Sequence, residues 1–159
     1  MQKTWSSLVN NNFNEAASNY NESAVIQKST ALQLAKICSH HPIKNGLWVD
    51  LGSGTGLLAQ SLEDLHPNQS VLRLDNSKQM IDQHSEKDTK QLWDLNNGLP
   101  KWSTKPNLLA SSFVLHWLDN PQEKLREWFN SLSSEGWIAL SIPIKGSFPE
   151  WYEAAASAK

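Results

Sequence analysis

The chain has 159 residues, 14 basic and 16 acidic side chains, a formal charge of −2 and one cysteine. This balance lacks the basic surplus of a nucleic-acid or anionic-membrane binder, a single thiol excludes an internal disulfide framework, and no apolar run is long enough for a signal peptide or a membrane span. The expectation is one cytoplasmic domain, large enough to bury a core without metals or disulfides, with small molecules or proteins as partners.

Residues 13–38, FNEAASNYNESAVIQKSTALQLAKIC, are rich in helix formers, and Val25, Leu32, Leu34, Ile37 and Cys38 form an apolar stripe that starts near Ser23. One or two helices therefore precede the core and make residues 1–45 a helical cap. HHPIKNG breaks that pattern, and LWVDL then reads as a short, fully buried parallel strand running into a glycine loop. Thr55 to Leu65 is helical, His66-Pro67-Asn68 is a break, and Ser70 to Leu74 is a second strand ending on Asp75. A helix across Ser77 to Asp82 follows, then a third strand at Lys90 to Trp93 and a fourth at Asn107 to Ser111. Asp119 to Leu132 is helical, capped by Asp119 or Asn120 with Pro121 in its first turn, and Gly136 to Pro143 is the last strand before SFPEWYEAAASAK begins another helix. Most of the eight tryptophans fall where a strand or an amphipathic helix buries them.

Strands alternating with helices predict an α/β fold: a mainly parallel sheet, helices on both faces, and a site outside the carboxyl ends of the strands where strand order reverses. The acidic and glycine motifs all fall at such ends. The loop VDLGSGTG carries Gly52, Gly54 and Gly56, with Ser53 between the first two. A dinucleotide fingerprint needs a third glycine where this chain has Leu57, and a phosphate-binding lysine is absent, so both nucleotide-phosphate readings weaken. Asp50, just before the loop, is an awkward neighbour for a pyrophosphate and a suitable one for an ammonium group. Asp75 lies at the distance beyond the loop where a carboxylate accepts from both ribose hydroxyls. Asp94 can accept an exocyclic amine of adenine, with Leu95 and Met80 against the ring. Read singly, the same groups have ordinary roles: a tight turn for the glycines, a helix cap for Asp75, a turn for Asp94. Their joint placement favours an adenosine ligand carrying an amino-acid end.

These segments resemble the Rossmann-like class of S-adenosyl-L-methionine-dependent methyltransferases, over essentially the whole chain: VDLGSGTG as the glycine motif, RLDNSKQM as the ribose motif, WDLNNGLP as the adenine motif and NLLASSFVLHWLDNP after the fourth strand. FNEAASNYNESAVIQ, LHWLDNP and IPIKGSFPEWYEA are most similar to malonyl-acyl-carrier-protein O-methyltransferases of biotin synthesis. The resemblance implies S-adenosyl-L-methionine as cofactor, held by Asp50, Gly52, Ser53, Gly54, Gly56, Asp75, Asn76, Met80, Asp94, Leu95, Ser111 and Gln27. It makes Tyr20, His116 and Trp117 candidates for the methyl-transfer cavity, although Trp117 fits the core and His116 the surface equally well. The implied acceptor is the free carboxyl of malonyl-acyl carrier protein.

That family continues with two further strands and an acceptor-binding region, so a chain ending at Lys159 is expected to lack them and to have an incomplete acceptor site. Asn107 also stands where the family usually has an acidic residue. A small carboxylic acid or other metabolite is the rival acceptor, and a non-catalytic interaction module pairing through an open strand edge is the rival from another class. His40-His41 has no second His or Cys cluster at ligand spacing, so no metal is assigned. Oligomeric state is open.

Overall fold

Trp48–Leu51 forms the central strand β1, and all four of its residues are buried. A strand covered on both faces cannot alternate apolar with polar, which is why WVDL reads as a continuous apolar run broken only by Asp50. The computed structural model describes residues 5–149, and the side chains of residues 10–149.

Around β1, strands β2 (Val71–Asp75), β3 (Lys90–Leu92), β4 (Leu108–Ser112) and β5 (Trp137–Ser141) complete a sheet of order β3-β2-β1-β4-β5. Every pairing is parallel; Asp50 lies opposite Arg73 on one side and Ala110 on the other. The chain leaves β1 towards β2 and β3, then returns to add β4 and β5 on the other side. The order thus reverses between β1 and β4, and the loops leaving their carboxyl ends open a crevice there.

Before the sheet come α1 (Trp5–Ala16), α2 (Tyr20–Ser23) and α3 (Val25–Ser39), three helical segments where one or two were expected. No glycine or proline marks the break at Ala24, whose Cβ is buried and whose ψ of 47° turns the chain. Helix α3 and α4 (Leu57–Leu65) cover one face of the sheet, through Ala31, Leu34, Ala35, Leu58 and Leu62 packed on Trp48 and Val71. Helix α6 (Pro121–Ser131) covers the other, with Trp128 among Val49, Leu51, Leu74 and Leu109. Trp48 and Trp128 are fully buried, and each would cost about 3–5 kcal/mol if cut back to alanine. Trp93 and Trp102 pack half-buried on the second core, and Trp137 on the first.

The short helix α5 (Lys78–Ile81) is a single turn, stopped early and capped by Ser77, whose hydroxyl accepts the Met80 amide at 3.1 Å. The α6 cap falls on Asn120, with Pro121 in the first turn as expected but no side-chain cap bond. The helix expected over SFPEWYEAAASAK lies almost wholly outside the described residues. Among the described residues no helix is long and apolar enough to cross a membrane.

Candidate active site

From the end of β1 the loop Gly52–Gly56 crosses towards β2, and the amides of Gly52 and Ser53 both donate to the Leu74 carbonyl at 2.8 Å. Gly54 has φ +53°, and a Cβ built on it would meet nothing within 4 Å. That open space is where a ligand can approach the backbone, a cradle that any side chain would begin to fill.

Two hollows flank the loop and share Tyr20, Gly52 and Gly54. The first is lined by Asp75, Asn76, Met80, Asp94, Leu95 and Trp117. The second is lined by Asp50, Ser53, Gln27 and Ser112. Helix α1 closes over the first: Phe13 packs edge-on to Trp117, with ring centroids 6.2 Å apart, and Asn14 Oδ1 accepts the Ser77 hydroxyl at 2.6 Å.

Three carboxylates are fixed by backbone amides. Asp75 Oδ2 accepts from Gly54 and its Oδ1 from Ser77, both at 2.8 Å. Asp94 Oδ1 accepts from Asn96 at 2.9 Å and so caps the single 3-10 turn Leu95–Asn97. Asp50 Oδ2 accepts from Ala59, in the first turn of α4, at 3.1 Å. A carboxylate offers about four lone-pair sites, so each retains acceptor capacity for a ligand. Burial pushes the Asp50 carboxyl up to about 7, against the Ala59 amide and the Arg73 charge, which favour ionisation. Burial likewise raises Asp75, opposed by the amides of Ser77, Gly54 and Asn76. It also raises the Tyr20 hydroxyl, helped by the Asp75 charge, so Tyr20 stays a donor at neutral pH. Ser53 Oγ is buried without a hydrogen-bond partner, and an orphaned hydroxyl in the second hollow is what a polar ligand would satisfy.

The structure gathers most of the residues expected from the sequence, and separates three. Gly56 faces a different hollow, beside His84 and Arg73. Ser111 is buried in the sheet, donating to the Leu51 carbonyl at 2.8 Å, while its neighbour Ser112 lines the second hollow because successive strand residues face opposite sides. His116 is exposed with its ring against Trp117, and burial of part of that ring lowers its pKa; Trp117 itself lines the first hollow. Sequence reasoning missed Phe13, Trp93, Phe113 and Val114, which line the same hollow. Each lies inside or beside one of the motifs named above, and proximity to those motifs was the available signal. His40 and His41 are exposed; His40 Nδ1 lies 2.6 Å from the Lys36 carbonyl, and His41 packs on Trp137.

A five-stranded parallel sheet of this order, with a glycine loop at its switch point and carboxylates closing β1 and β2, defines the Rossmann-like methyltransferase fold. Solved structures share it: the DhpI-SAM-HEP complex at TM-score 0.70, with 16% identity over 98% of this chain and 73% of that one. The plantazolicin methyltransferase BpumL with SAH gives 0.69 and 17% identity over 91% of this chain and 57% of that one. The family model for the methyltransferase domain matches residues 49–140, and the chain belongs to that family, the S-adenosyl-L-methionine-dependent methyltransferases of class I. Trans-aconitate 2-methyltransferase of Mycobacterium tuberculosis is 33% identical over 113 residues, 69% of this chain and 41% of the relative. Malonyl-[acyl-carrier protein] O-methyltransferase of Alcanivorax borkumensis is 29% identical over 157 residues, 94% of this chain and 52% of the relative. The chain spans about half or less of the length of these curated relatives.

Proposed function

We propose that the two hollows together hold S-adenosyl-L-methionine and that the protein carries its methyl group to a carboxylate oxygen, with malonyl-acyl carrier protein as acceptor. The observation that carries this reading is the division of acceptors along one crevice: Asp75 and Asp94 in one hollow, Asp50 and the unpaired Ser53 hydroxyl in the next, with Gly52 and Gly54 between them. In this reading Asp75 accepts from the ribose hydroxyls, and Asp94 accepts the adenine amine while Leu95 and Met80 flank the ring. Asp50, Ser53 and Gln27 receive the ammonium and carboxylate of the methionine end.

When bound, the cofactor supplies a methyl group on a positively charged sulfur, open to in-line displacement. The acceptor carboxylate is already ionised at neutral pH, so the chain needs no general base, and alignment and exclusion of water lower the barrier. Tyr20 and Trp117, at the same crevice, suit alignment and drying in turn, the first as a protonated hydroxyl that orients a carboxylate oxygen and the second as an indole that excludes water. The match to malonyl-[acyl-carrier protein] O-methyltransferases along 94% of this chain supports the carrier-bound acceptor. The 33% identity to trans-aconitate 2-methyltransferases supports a free polycarboxylic acid as the second reading.

The test is transfer of labelled methyl from S-adenosylmethionine to malonyl-acyl carrier protein and, separately, to trans-aconitate. Label on the carrier protein is the expected result. Label on trans-aconitate alone moves the assignment to the second reading, and label on neither overturns both.

A further inference from the structure

His84 follows α5 and is 7% exposed, yet no step of the proposed chemistry uses it. Its Nε2 lies 2.8 Å from the Gly54 carbonyl oxygen. A carbonyl only accepts, so Nε2 carries the proton and, in the neutral ring, Nδ1 is bare. The ring reaches this position because residue 56 is glycine: a Cβ there would lie 2.7 Å from His84 Cε1 and 2.9 Å from Nδ1. The backbone around the ring is itself anchored, since the His84 carbonyl accepts Lys90 Nζ from β3 at 2.8 Å.

The peptide of Gly54 is thereby held at both ends. Its carbonyl accepts from His84, and the amide of the same residue donates to Asp75 Oδ2 at 2.8 Å. Resting on the reading that this crevice holds S-adenosylmethionine, we propose that His84 is a positioning residue: acting through Gly54, it fixes the glycine loop and the orientation of the Asp75 carboxylate towards the ribose. The clamp works with a neutral ring. The charged groups facing it are the Arg73 guanidinium on β2, the Lys90 ammonium on β3 and the Asp88 carboxylate; burial is the first reason its pKa is lowered, and Arg73 and Lys90 act in the same direction against Asp88 and the Gly54 carbonyl. Arg73 Nε, buried and unpartnered, lies 3.4 Å from the same point above Gly56. A cationic imidazole there would face a buried guanidinium.

Two measurements on the same chain test this. Calorimetry with S-adenosylhomocysteine on the wild type, Asp75→Ala, His84→Ala and His84→Gln compares affinities. His84→Ala, confirmed as folded by circular dichroism, binds about tenfold more weakly, and His84→Gln, whose amide nitrogen replaces the donor, stays within about twofold of the wild type. A folded His84→Ala chain that binds as well as the wild type overturns the proposal, as does a glutamine variant as weak as the alanine one, because a merely structural side chain is not rescued by its donor. Failure of the wild type to bind at all overturns the cofactor reading, and the positioning role with it. The second measurement, nitrogen-15 spectra of labelled histidine at neutral pH, needs no ligand and stands even if His84→Ala fails to fold. It shows His84 protonated at Nε2; a ring protonated at Nδ1 alone, with Nε2 bare, overturns the clamp.

Discussion

Asp50 and Arg73 face each other in register on adjacent strands, each 1% exposed, yet they do not form an ion pair. The Arg73 guanidinium turns to Glu63 of α4, with contacts of 2.6 and 3.1 Å, and Asp50 is left with one amide hydrogen bond. One buried charge is thus neutralised by structure, while the other stays available at the crevice. In the proposed reading, a ligand cation is the partner that the second lacks.

The pH dependence of stability should report this. The Asp50 carboxyl rises from an ordinary 3.8 to about 7 on folding, so between those values the native chain holds a proton that the unfolded chain has released. Its contribution is therefore greatest below the unfolded value and is lost as pH rises through about 7. Asp50→Asn, neutral throughout, should gain on the wild type between about pH 4 and about pH 8 by up to roughly 4 kcal/mol in urea unfolding. A difference that does not change with pH would show that burial does not raise this carboxyl.

Binding should also move a proton. An ammonium placed beside Asp50 favours its ionised form, so S-adenosylhomocysteine binding near pH 7 should release part of one proton to the buffer. Calorimetry in buffers of different ionisation enthalpy measures the release, and Asp50→Asn should abolish it. Equal release from the variant would place the ammonium elsewhere.

The Arg73–Glu63 pair is a structural element with a large asymmetric cost. Arg73 Nη1 also donates to the Val71 carbonyl at 3.0 Å, and Glu63 Oε1 accepts the Val71 amide at 2.8 Å, so α4 is bound to β2 through one side chain. Glu63→Leu leaves the buried guanidinium with only the Asp88 carboxylate, 3.9 Å away, and should destabilise the chain by about 3 kcal/mol, whereas Glu63→Leu with Arg73→Met should recover most of that loss. Denaturant midpoints of the two variants decide it; a single variant as stable as the wild type would mean that the pair carries little.

Gly54 separates ligand space from fold space. Its Cβ position is open and its φ is left-handed, so Gly54→Val should fold at a cost of about 1–2 kcal/mol while losing at least about tenfold in S-adenosylhomocysteine affinity. Unchanged affinity in the folded variant would remove this loop from the cofactor site.

The central strands were legible because β1, β2 and β4 are short, mainly apolar runs, with Asp50 inside β1 and Gly52 just after it, Asp75 ending β2 and Asp94 just beyond β3 at the crevice. Fully buried parallel strands give that signal without alternation, and the helices between them carry the 3.6-residue period. The sites that follow from motif order, Asp75, Asn76, Met80, Asp94 and Leu95, converge in one hollow for the same reason. What stayed hidden depends on contacts between distant segments. Arg73 reads as a lone charge in SVLRLD until α4 brings Glu63 onto it, and His84 reads as a loop histidine until Gly56 admits its ring. Ser111 and Ser112 differ only in which face of β4 they occupy, which motif matching does not resolve.

In the proposed reading, the glycine loop with Asp75 binds the nucleoside of S-adenosylmethionine. Calorimetry of the folded chain with S-adenosylhomocysteine, alongside Asp75→Ala, tests it most directly. A Kd on the order of micromolar is expected for the wild type, with a loss of at least about tenfold in Asp75→Ala while the variant stays folded. Equal affinity in the two chains, or no binding by the folded wild type, would contradict it.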